Sequence, residues 1–262
     1  MSVQKQQAQV NRDTWNTWQH FWQSPLGREV LGSEEALLQP LVEAARGYHL
    51  LLIGSCPGGG WIETTRIGQV IEWRPSLDLA EKESCVLADP AALPFPDDCM
   101  DLVILQHSLE LFARPHALLK EAARVTLPKG ELVILAFNPI SLWGLTRLLP
   151  AFLQPEPLRL LKQADLISQA KMDDWLEFLD LNKEASYQLF HRPPCNRDAL
   201  QQRLRSWDRK QDQRSWPLAG VYMLRIKKRI GSPLRPQPAW KKTGWMPAQP
   251  VSFPTRNSLK NR

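Results

Sequence analysis

The stretch His49–Gly60, HLLLIGSCPGGG, decides how the rest of the chain is read. Its first five residues, His49–Ile53, form a short apolar run of the kind found in a strand covered on both faces. The chain then meets Gly54, Gly58, Gly59 and Gly60, where backbone can approach an anion or nucleotide closely. A glycine-rich turn after a strand is often only a turn. Its weight comes from the order and spacing of the segments downstream.

Those segments alternate. Short apolar runs recur at 69–73 (QVIEW), 85–88 (CVLA), 101–106 (DLVILQ) and 131–137 (ELVILAF). Between the last two lies HALLKEAARVTL, with Leu118, Ala122 and Val125 on one face; Pro115 precedes it and Pro128-Lys129-Gly130 ends it. Strand, helix and strand in succession predict parallel pairing and an open α/β sheet. Residues 141–170 read as one or two helices interrupted by prolines. DDWLEFLDLN reads as a short helix capped by Asp173 or Asp174, and 185–191 and 220–226 read as two further strands. Ahead of the first strand, 13–46 is helical. Asp13 is its cap, Trp15, Trp18, Phe21 and Trp22 share one face, and Ser24-Pro25 and Gly32-Ser33 punctuate it so that a second helix opens at Ser33. The expected organisation is a helical extension over 1–40, one domain over 41–230 and a tail over 231–262.

Composition narrows the function classes. A chain of 262 residues that is 43% hydrophobic can bury a sizeable core. No apolar run reaches the ~18 residues of a membrane span. The opening MSVQKQQAQVNRDTW has neither an apolar core nor a cleavage pattern, so a cytoplasmic protein without a membrane partner is expected. Cys56, Cys85, Cys99 and Cys195 lack metal-type spacing and read as reduced thiols, with no metal site. The net charge of +6 equals the six cations of 231–262, a stretch without acids, so the first 230 residues are formally neutral. That tail also carries six prolines and reads as disordered. With Trp240, Trp245 and Phe253 among its cations, it has two readings: a solvated tail, or a contact for RNA or a protein partner.

Two acids sit where an open α/β sheet uses them. Glu72 closes the second strand, 18 residues after Gly54, where a carboxylate can accept hydrogen bonds from two ribose hydroxyls. Asp89 follows the third. The run from Ala88 to Pro139, ADPAALPFPDDCMDLVILQHSLELFARPHALLKEAARVTLPKGELVILAFNP, resembles the central half of class I S-adenosylmethionine-dependent methyltransferases, in particular their type-11 branch. The resemblance implies an open, mostly parallel Rossmann-like sheet with one antiparallel strand, and S-adenosylmethionine as cofactor. It implies that Gly54, Ser55, Cys56 and Gly58 line the methionine–ribose side, that Glu72 holds the ribose, and that Asp89 and Pro90 face the adenine. Gln106 and His107 would face the methionine end and an unknown methyl acceptor.

The motif departs from the family at its start. Leu52 stands where an acid is usual, and Cys56-Pro57 replaces the middle glycine. A hydrogen bond to a charged group is worth about 1.5–3 kcal/mol, so the lost acid weakens cofactor binding by about ten- to 150-fold. Two function classes remain: a methyltransferase with a degenerate motif, or a non-catalytic scaffold of the same fold. His107 is the candidate general base for an acceptor that must lose a proton, and the plainer alternative is a histidine hydrogen-bonded at a strand end. Asn138-Pro139 reads as a strand-ending turn that opens a helix at Ser141. A nicotinamide-binding fold is disfavoured by the absence of G-x-G-x-x-G spacing.

Overall fold

The computed structural model describes residues 12–56, 59–74, 85–148, 150, 158–193 and 219–229. Gly58, the connector that carries Trp207 and Trp216, and the basic tail lie outside them, so the readings made there have no structural counterpart.

Seven strands build one sheet: β1 (His49–Gly54), β2 (Gln69–Trp73), β3 (Cys85–Val86), β4 (Met100–Gln106), β5 (Thr126–Phe137), β6 (Leu181–Leu189) and β7 (Val221–Lys228). Their order is β3-β2-β1-β4-β5-β7-β6, with β7 antiparallel to both neighbours and the other pairings parallel. The expected open, mostly parallel sheet with one antiparallel strand is therefore the observed one. Continuous apolar sequence explains its centre: Leu50–Ile53, Leu102–Leu105 and Leu132–Phe137 are all buried. The strand order reverses between β1 and β4, where Gly54 pairs with Gln106. Crevices that take ligands in such sheets open there, beyond the carboxyl ends of the strands.

Six helices accompany the sheet among the described residues: α1 (Arg12–Gln23), α2 (Pro25–Ala44), α3 (Pro115–Val125), α4 (Leu142–Leu145), α5 (Leu160–Gln163) and α6 (Gln169–Phe178). Three boundaries differ from those expected: α1 begins by Arg12, so Asp13 lies in its first turn and is not its cap. The N-terminal helices break at Ser24, whose hydroxyl accepts from the Gly27 N–H with Pro25 in the first turn, and α2 then runs unbroken through Gly32-Ser33. A Cβ on Gly32 would meet nothing within 4 Å, and Ser33 turns its hydroxyl back to the Glu29 carbonyl, so neither residue stops the helix. α6 begins earlier than Asp173, because Ser168 caps it through the Lys171 N–H. Between β1 and β2 a single 3-10 turn, Gly60–Ile62, replaces the full crossover helix usual in α/β sheets. Only 14 residues separate these strands, close to the shortest crossovers of about ten to twelve, which leaves no room for a long helix and its turns. None of the described helices is long and apolar enough to cross a membrane.

The far end of the sheet is tied by one buried cation. Lys228 Nζ donates to Asp98 Oδ1 at 2.6 Å and to the carbonyls of Thr126 at 2.7 Å and Ala123 at 2.8 Å. It joins the last strand to the end of α3 and to the register shift where Met100 pairs with Thr126 but Leu102 with Glu131. Lys228→Met keeps the stem but strands the buried Ala123 and Thr126 carbonyls while half-exposed Asp98 regains water, and should cost about 1–3 kcal/mol. Urea denaturation of the full chain checks it, with a loss below about 1 kcal/mol contradicting the role.

Candidate active site

At the carboxyl end of β4 the chain makes a tight, buried turn. His107 adopts a left-handed backbone (φ 49) while its N–H donates to the Leu135 carbonyl on β5. Such strain in a non-glycine residue persists only where surroundings enforce it. Here they do so with charge. His107 Nε2 lies 2.6 Å from Glu34 Oε1, and Nδ1 lies 3.3 Å from Glu110 Oε1. Glu34 Oε2 also accepts from Gln106 Nε2 at 2.7 Å, and Glu110 Oε1 accepts from the Phe137 N–H at 2.7 Å. All three side chains of the Glu34–His107–Glu110 cluster are fully buried.

Burial disfavours the imidazolium, but the Glu34 charge and the hydrogen bonds to both carboxylates outweigh it, pushing the His107 pKa up to about 9. With the ring protonated, both nitrogens donate.

α1 closes over this turn. Trp22 stands 4.9 Å and Phe137 4.3 Å from the His107 ring, centroid to centroid, with Trp18 and Phe21 each about 6 Å from Phe137. Gln19 Nε2 donates to the Ser55 carbonyl at 2.7 Å and Trp22 Nε1 to the Ser55 hydroxyl at 3.3 Å. The aromatic face expected in the sequence is thus a lid on the glycine-rich turn, not a free surface.

The residues expected to hold a cofactor separate into two groups. Gly54, Ser55, Cys56 and Gln106 lie together beneath α1, with Ser55 and Cys56 both buried. A Cβ on Gly54 would come within 3.2 Å of the Gln106 carbonyl, so glycine serves close strand packing there. Burial first, and the Glu34 charge second, raise the Cys56 thiol well above its ordinary pKa, so it is protonated. The second group lies toward the sheet edge. Glu72, the penultimate residue of β2, is in register with Leu52 of β1, buried and ion-paired with Arg74. Asp89 is exposed after β3, its Oδ1 accepting from the Ala91 N–H at 2.8 Å, and Pro90 beside it is buried. Trp73 Nε1 fixes this loop by donating to the Ala88 carbonyl at 2.9 Å.

Glu34 and Glu110 escaped the sequence reading, yet Glu34 left a signal. Leu26, Val30, Leu38 and Val42 recur every four residues on the buried stripe of α2, and Glu34 occupies the step between them. A carboxylate on an apolar stripe needs a buried partner. Glu110, three residues after His107, had no comparable mark.

Residues 68–134 match a family of methyltransferase domains. The chain superposes on solved methyltransferases. An S-adenosylmethionine-dependent methyltransferase of Thermotoga maritima superposes with a TM-score of 0.54 over 78% of this chain and 92% of its own, at 18% identity. One from Mesorhizobium loti gives 0.52 over 76% and 100%, at 16% identity. The fold is that of a class I methyltransferase. At the sequence level, an uncharacterised Escherichia coli protein, YafS, is 32% identical over 156 residues, 60% of this chain and 62% of that one. A Ruegeria C-methyltransferase of ubiquinone and menaquinone biosynthesis is 36% identical over 70 residues, 27% of this chain and 28% of its own. The match thus spans less than two thirds of either relative's length.

A methyltransferase domain of this kind implies S-adenosylmethionine. The residues present fit its nucleoside half: Glu72 offers a carboxylate on β2 beside the switch point, and Asp89 offers an exposed one after β3.

The raised His107 pKa sets a pH test with a definite sign. The imidazolium is favoured by folding, so its contribution is complete below the unfolded value near 6.5 and is lost as pH rises through about 9. Denaturation at pH 6, 7, 8 and 9.5 should show a decline of about 3 kcal/mol. In His107→Asn, which tolerates the left-handed backbone, that decline should vanish. An unchanged slope would mean another group titrates.

Proposed function

We propose that the chain is an S-adenosylmethionine-dependent methyltransferase with an altered cofactor motif. The observation carrying this reading is the carboxylate of Glu72, one strand from the switch point of an open, mostly parallel sheet, with Asp89 in the loop after the next strand. The bound cofactor supplies a methyl group on an electrophilic sulfonium. The chain's part is then to bind and orient. Glu72 accepts hydrogen bonds from the ribose hydroxyls in exchange for part of its pairing with Arg74. Asp89 and Pro90 hold the adenine, and Gly54, Ser55, Cys56 and Gln106 bound the methionine side beneath α1, with Gly58 assigned to that side by sequence. The α1 aromatics exclude water. His107, held as a cation between two carboxylates, orients α1 and the β4 turn and keeps a positive charge there; its two nitrogens have no lone pair to take a proton at neutral pH.

A second reading has its own observation. The Ser55 hydroxyl and carbonyl are both engaged by α1, which suits a methyltransferase fold retained as a non-catalytic binding module for RNA or a protein.

Calorimetric titration with S-adenosylhomocysteine separates the two. The enzyme reading expects saturable binding, weakened about ten- to 150-fold in Glu72→Ala. Absence of binding at millimolar ligand favours the module, and equal affinity in Glu72→Ala removes that residue from the ribose site.

A further inference from the structure

We propose that one face of α4 and of the 3-10 turn after it docks on an anionic lipid surface, with the chain lying on the membrane rather than spanning it. The chain leaves the carboxyl end of β5 through Asn138–Ser141 and passes through α4 into that turn, Thr146–Leu148. Ile140, Leu142, Leu145 and Leu148 are 63, 49, 53 and 81% exposed, and they make up half of the large apolar side chains exposed among the described residues. The three leucines recur every third residue, which aligns them on one side of so tight a helical run. Contiguous apolar exposure of this kind marks a contact site.

The leucines have no inward alternative. Trp143, Gly144 and Thr146 take the buried side. Trp143 Nε1 donates to the Arg192 carbonyl at 2.9 Å, and a Cβ on Gly144 would come within 2.0 Å of the Pro139 carbonyl oxygen. The Ser141 hydroxyl caps the helix by accepting from the Gly144 N–H at 3.1 Å. Turning Leu145 inward would release these contacts. A run that is apolar on both sides needs an apolar neighbour beyond its own core.

Charge selects the occupant. Residues 138–150, NPISLWGLTRLLP, contain one cation and no acid, and that cation, Arg147, pairs with no acid among the described residues. Residues 231–262, read by sequence alone, add six cations, no acid, and Trp240, Trp245 and Phe253. The partner must therefore be apolar and negative together. An anionic lipid surface is both: leucines enter its acyl boundary, cations meet its phosphates, and tryptophans settle at the interface. A second copy offers like charge instead, since pairing this face with itself would bring two Arg147 side chains together. Nucleic acid offers phosphates but nothing for aliphatic leucines. Docking of this kind involves neither Glu72 nor a methyl donor, so it stands apart from the methyltransferase reading.

The test is flotation of the full chain with vesicles of equimolar phosphatidylcholine and phosphatidylglycerol, with phosphatidylcholine alone as the neutral arm. The chain should float with the anionic vesicles and bind the neutral ones about tenfold more weakly or less. Leu145→Ser combined with Leu148→Ser should weaken anionic-vesicle binding by about tenfold. Phe178→Ser, which removes a comparably exposed side chain on α6, should leave it unchanged. Both variants replace exposed side chains, so their Tm should be that of the wild type. The proposal is overturned if the chain floats with neither vesicle, if it binds both equally, if the leucine variant floats as the wild type does, or if Phe178→Ser loses as much. Light scattering that shows a dimer made monomeric by the leucine substitutions would assign the face to a second copy. Binding of polyuridylate without vesicle binding would assign the tail to RNA, and either of these results also overturns the proposal.

Discussion

The arrangement on which the rest depends is the Glu34–His107–Glu110 cluster. Burying an ion costs several kcal/mol even after relaxation, and attraction repays that only when geometry and hydrogen bonding are good. Each member here is hydrogen-bonded at least twice, and only Glu110 Oε2 in the cluster is left without a partner. The histidine is shared between two carboxylates, one carboxylate also takes Gln106, and the other takes the Phe137 N–H. α2, the end of β4 and the end of β5 are thereby fixed at one point. Removing a member leaves its partners charged and dry, which is why this pairing dictates where the N-terminal helices sit.

The lid depends on that anchor. Once α2 is held through Glu34, and through Glu29 to Arg192 at 3.1 Å, α1 is delivered across the switch point with its aromatic face down. Trp22, Phe137 and Trp143 continue as near-parallel rings, with interplanar angles of 12° and 23°, so the apolar layer passes from α1 through β5 to α4. Offset or tilted aromatic packing adds about 0.5–1.5 kcal/mol per pair beyond area burial. The degenerate glycine motif is thus matched by a wall contributed from elsewhere. The carboxylate absent at Leu52 has a buried counterpart in Glu34, which reaches the same switch point from another element.

Much of the fold was legible because its determinants are local. Continuous apolar runs marked β1, β2, β4 and β5, and the proline at each end of the α3 segment marked that helix. The antiparallel ending came from family resemblance rather than from periodicity. Gly32-Ser33 suggests a second helix start that the chain does not make, because an exposed glycine in a helix weakens it without ending it. The missing crossover helix was hidden for another reason: a glycine turn invites the expectation of a helix, and only the count to the next strand forbids one. Of the candidate site, His107 and Gln106 could be named from their strand-end position. Their partner Glu34 lies 73 and 72 residues away, so its role depends on tertiary pairing that strand spacing does not encode.

That separation bears on how the molecule assembles. α1 and α2 are synthesised first, yet the partners that bury Trp18, Trp22 and Glu34 emerge only with β4 and β5. The growing chain therefore carries an unshielded tryptophan-rich hairpin until those strands arrive, and exposed apolar surface of that sort is what chaperones bind. Long-range closure of this kind also slows folding.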